Sequence, residues 1–88
     1  MSEHQLQPEE IKAIRRSLDK DAIREKIFVY SRAGDRKEHD LLDGVYWPEA
    51  TDDHIAYAGN VAGFKAWLKK FAPDMVTTHF YGNTVIHL

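Results

Sequence analysis

Cysteine is absent from this 88-residue chain. Its absence excludes a disulfide framework, thiolate zinc sites and cysteine nucleophiles together, and leaves a cytoplasmic location as the default. No apolar run approaches the roughly 18 residues that a membrane span requires. The N-terminus, Met1-Ser2-Glu3-His4-Gln5, has neither the basic nor the apolar region of a secretory signal. Neither charge sign dominates: 12 basic and 14 acidic side chains leave a net charge of −2. Nothing electrostatic therefore draws the chain to nucleic acid or to an anionic membrane. A glycine-rich phosphate loop and a G-x-S-x-G elbow are both missing, so nucleotide and serine-hydrolase readings have no footing. The chain also lacks linkers, repeats and low-complexity segments.

What is present suits one small globular domain, 43% hydrophobic and 30% charged. Domains of this size bury only about 60–65% of their unfolded surface, which leaves stability marginal. Pro8, followed by Glu9 and Glu10, opens a helix whose apolar positions Ile11, Ile14 and Leu18 recur at helical steps. Asp19 reads as the N-cap of a second helix, with Leu18 and Ile23 spaced as a hydrophobic staple. Gly34 is placed to end that helix in a left-handed conformation. Asp35-Arg36-Lys37-Glu38 reads as a capping box opening a short third helix to Asp43-Gly44. Val45-Tyr46-Trp47 before Pro48 is expected to be extended, Glu49 to Asp53 a polar turn, and His54 to Ala58 a short strand. Gly59-Asn60 closes that strand and caps a fourth helix bearing Val61, Phe64, Trp67, Leu68 and Phe71, stopped by Pro73-Asp74. Met75 to Leu88 reads as strand, bent by a bulge at Gly82-Asn83. Helices first, then strands with one helix between them, make an α+β pattern.

Three polar residues stand out by placement. Tyr30 sits on the apolar face of the second helix, Asp35 follows just past its end, and His79 shares one strand face with Thr77 and Tyr81. An imidazole beside a carboxylate is a general-base unit, and a phenol nearby donates to an oxygen. Each also has an ordinary explanation: a core tyrosine, a helix cap, a packed histidine. Asp52-Asp53-His54, with His4, His39 and His87 as further donors, reads as a solvated turn before it reads as a metal site. No His-x-x-x-His pair supports zinc, and no cofactor is expected. Trp67 and Phe71 read as core first and pocket lining second.

The run Ile23 to Arg36 resembles the first long helix and turn of SnoaL-like proteins of the nuclear transport factor 2-like superfamily. Tyr46 to His54 is similar to their segment leading into the first strand, Gly59 to Trp67 to the helix after it, and Thr78 to Asn83 to their histidine strand. The resemblance spans about residues 19 to 88 and treats the chain, residues 1 to 88, as a single domain. It implies a cone-shaped α+β fold in which a curved, mostly antiparallel sheet wraps helices around an apolar pocket. Family domains run on past the histidine strand, so the sheet is expected to be incomplete, through truncation or because partner chains supply the rest.

The resemblance also implies a chemistry. Dehydratase-type members, including scytalone dehydratase and bile acid 7α-dehydratase, carry an Asp–His pair facing the pocket. By position these residues are Asp35 and His79, with Tyr30 assisting. His79 would remove a proton from carbon, Asp35 would stabilise the imidazolium, and Tyr30 would polarise the departing or carbonyl oxygen. Trp47, His54, Trp67, Phe71 and Tyr81 are the expected substrate-binding residues, toward a small, apolar, steroid- or polyketide-like ring. Cyclisation is the nearest alternative reaction, and a non-catalytic ligand-binding or protein-interaction module the alternative class. A homo-oligomer is expected.

Overall fold

The computed structural model describes residues 5–71 and 73–88; His4 therefore lies outside it. Helix α1 runs without interruption over Pro8–Asp35, 28 residues, or about 42 Å. Its start follows from Pro8 at the first position and from Glu10, whose carboxylate accepts the Gln7 backbone N–H at 3.0 Å. The expected break at Asp19 does not occur. No glycine or proline lies between Leu18 and Ile23, and an interior aspartate costs less than about 0.7 kcal/mol. That is too little to break a continuous ladder. Leu18 is exposed and staples nothing.

The end of α1 also differs from expectation. Gly34 stays helical, Arg36 N–H bonds to the Arg32 carbonyl at 2.9 Å, and Lys37 takes the left-handed conformation at φ 56°. The third helix is a 3-10 helix, His39–Gly44, with no side-chain cap. Glu38, read as the far side of a capping box, instead holds Arg32 through two bonds of 3.1 and 3.3 Å. Val45 and Tyr46 continue the turn by donating to the Leu42 carbonyl rather than extending.

Strands β1 (Thr51–Asp53) and β2 (Ala58–Asn60) pair antiparallel, with Asp52 opposite Gly59. The sequence placed the turn at 49–53 and the strand at 54–58; the chain in fact reverses at 54–57. Local polar bonding decides this. Asp53 Oδ1 accepts the Ile55 N–H at 2.9 Å, and Ile55 sits fully exposed at the tip with φ 65°. Helix α2, Val61–Phe71, starts as anticipated, with Asn60 Oδ1 accepting the Gly63 N–H at 2.8 Å.

From Met75 to Leu88 the chain pairs with no strand among the described residues, so Gly82-Asn83 is not a bulge in a ladder. Residues 77–81 lie against α1 with alternating side chains. Thr77 and His79 reach Asp35, and Tyr81 reaches Ser31, while Val76 and Phe80 are exposed. The core is small: Ala33, Leu42, Val61 and Phe64, where the last turns of α1, the 3-10 helix and α2 meet. Lys65 ties α2 to the 3-10 helix through Asp40 at 3.2 Å and Asp43 at 2.9 Å. Helices with a two-stranded antiparallel sheet make an incomplete α+β fold.

Candidate active site

The uninterrupted α1 brings Tyr30 and Asp35 to its C-terminal end, where the segment after Asp74 crosses it. Asp35 collects three hydrogen bonds there. Its Oδ2 accepts the His79 backbone N–H at 2.7 Å, and its Oδ1 accepts the Thr77 hydroxyl at 2.7 Å and pairs with His79 Nδ1 at 2.7 Å. The His79 backbone N–H, then the Thr77 hydroxyl, then the imidazole hold its carboxyl down at about 2, against an ordinary 3.8. A carboxylate on Nδ1 selects the tautomer with Nδ1–H and leaves the Nε2 lone pair available as a base. The Tyr30 ring meets His79 edge-on at 6.3 Å between centroids. Burial first, then Asp52 and Tyr81, push the Tyr30 phenol up, so it stays a protonated donor.

A second carboxylate–imidazole pair lies on the other side of Tyr30. The Tyr30 hydroxyl is 3.0 Å from His54 Nε2, and His54 Nδ1 is bonded to Asp52 Oδ1. The Tyr46 hydroxyl donates to the other Asp52 oxygen. Burial, followed by that bond, raises the Tyr46 phenol strongly. The His54 ring stacks on Phe64 at 4.6 Å and 22°. Sequence reasoning passed over Asp52 because adjacent residues in extended chain point apart. Asp52 and His54 are two apart, however, and the period-two rule places them on one side.

Tyr30, His54 and His79 line one cavity of about 230 Å³, with Phe64, Trp67 and Leu68 forming its apolar wall. His39 is also in the wall, its Nδ1 buried without a partner; burial, then Lys69, lowers its pKa. Of the remaining expected residues, Trp47 is exposed beside Pro48 and Val61, away from this cavity. Phe71 packs on Trp67 at 5.9 Å but is mostly exposed. Tyr81 lies on the outer side of the Asp35–His79 pair, its hydroxyl 2.5 Å from Ser31 Oγ. Among the described residues, no three His, Asp or Glu side chains are placed to share a metal ion, and no helix is long and apolar enough to cross a membrane.

Comparison with known proteins adds the family. The model of the SnoaL-like domain matches residues 15–88. Searches of curated proteins and of solved structures return no match. A match over most of the chain, from the middle of α1 through the His79 segment, means that this chain belongs to the SnoaL-like domain family of the nuclear transport factor 2-like superfamily, which includes polyketide cyclases, isomerases and dehydratases.

Proposed function

We propose that the cavity carries out cofactor-independent acid/base chemistry, elimination of water or isomerisation, on a small and largely apolar ring substrate. The observation that carries this reading is the 2.7 Å bond between Asp35 and His79 Nδ1 at the edge of an apolar cavity that Tyr30 also lines. His79 Nε2 takes the proton from carbon, Asp35 stabilises the imidazolium formed, and Tyr30, when its hydroxyl hydrogen is turned toward the cavity, donates toward the oxygen that gains charge. A cavity of about 230 Å³ lies below the roughly 300–1,000 Å³ of pockets for drug-sized ligands. That favours a substrate of one or two rings over a four-ring steroid.

The test is a screen of one- and two-ring β-hydroxy ketones and cyclic enones for dehydration or isomerisation, wild type beside His79→Ala. Turnover that falls at least about 10²-fold in the variant is the expected result. Ring compounds that bind without turnover, equally in both proteins, would replace this reading with a ligand-binding module.

A further inference from the structure

We infer that the Asp52–His54 pair sets the direction of the Tyr30 hydroxyl, and so decides whether the cavity accepts a ligand's hydrogen-bond donor or its acceptor. The inference rests on reading the cavity as a ligand site. Its own support is geometric. Asp52, its side chain only 10% exposed, is bonded to His54 Nδ1 and therefore keeps a proton on that nitrogen. His54 Nε2 is then the atom that faces the Tyr30 hydroxyl at 3.0 Å. With His54 neutral, Nε2 offers a lone pair, Tyr30 donates its hydrogen to it, and the phenol oxygen presents only lone pairs to the cavity. A ligand hydroxyl is then the better match. When His54 takes a proton from solvent at Nε2, that N–H donates to the Tyr30 oxygen. The phenolic hydrogen is released and turns toward a ligand carbonyl. No bond to carbon is involved, and the one proton gained comes from water.

Other ionisable groups face this unit. The second Asp52 oxygen is held by Tyr46, the His79 ring lies edge-on to Tyr30, and Lys37 and His39 stand in the cavity wall. Of these, the His79 imidazole meets the Tyr30 ring directly and must be separated by experiment.

Three probes of one shape do so: naphthalene, 2-naphthol as a donor and 2-acetylnaphthalene as an acceptor. Their affinities are read from tryptophan fluorescence, since Trp67 lines the cavity. Between about pH 8 and about pH 5, the affinity of 2-acetylnaphthalene relative to naphthalene is expected to rise about threefold to tenfold, while that of 2-naphthol falls. His54→Gln should make both ratios independent of pH. His79→Gln should leave the dependence in place. Ratios flat with pH in the wild type, a dependence that survives His54→Gln, or one abolished by His79→Gln instead, would each overturn the inference while leaving the cavity standing. Failure of naphthalene itself to bind would overturn the cavity reading, and this inference with it.

Discussion

Asp35 shows how a side chain that local spacing reads as a helix cap can be claimed by a distant segment instead. As a helix cap it would tolerate serine, which caps about as well. In the fold it caps nothing; it fastens the 77–79 segment through three bonds. Asp35→Ser is therefore expected to lower the melting temperature and to loosen that segment, measured by amide exchange at His79. The acid dependence follows from the same contacts. A carboxyl held at about 2 when folded and near 3.8 when unfolded adds stability that is complete above the higher value. That stability is lost as pH falls through the lower one. Melting curves taken between about pH 4 and about pH 2 should show a fall that Asp35→Asn lacks. The pairing of Asp35 with His79 was legible only through family resemblance, because 44 residues separate them and no local period links them. The Asp52–His54 pair was legible in principle from its two-residue spacing, but only the packing brings Tyr30 to it.

At the scale of elements, local signals held wherever a side chain had no better partner than its own backbone. Asn60 is such a case: Asn60→Ala should cost about 1 kcal/mol in chemical denaturation, the usual cost of a lost N-cap. Asp19 is the opposite case. A true cap replaced by alanine would destabilise by a similar amount; within a continuous, exposed helix, Asp19→Ala should instead stabilise by a few tenths of a kcal/mol. Gly63 tests packing between α2 and the loop at 54–57. A Cβ there would overlap the Tyr57 hydroxyl, which donates to the Asn60 carbonyl at 2.7 Å while its ring lies against Phe64 and Trp67. Gly63→Ala is expected to cost about 1–3 kcal/mol and to displace the aromatic wall of the cavity, visible as a change in near-ultraviolet circular dichroism.

For the molecule as a whole, the radius of gyration is 17.9 Å, against about 12 Å for a compact chain of this length. The first turns of α1 stand away from the core, with Ile11, Ile14 and Leu18 exposed along it, and Val76, Phe80 and Val85 are exposed in the final segment. Exposed apolar side chains in this number favour association. We expect a second copy to cover it, so that light scattering gives a mass above 10.2 kDa that rises with concentration. A monodisperse monomer with a cooperative melt would refute this.

By itself, the sequence determined what depends on neighbours in the chain: where α1 begins, how Asn60 starts α2, the side-by-side alternation of Thr77, His79 and Tyr81, and the absence of thiol chemistry. Their energies are decided within a few residues. Tertiary structure alone decided that α1 passes Asp19 unbroken, that Asp35 holds a distant histidine in place of a cap, and that Tyr30 bridges two carboxylate–imidazole pairs. Those outcomes depend on which partners reach a polar group first, and partners far apart in the chain are chosen by packing, not by period.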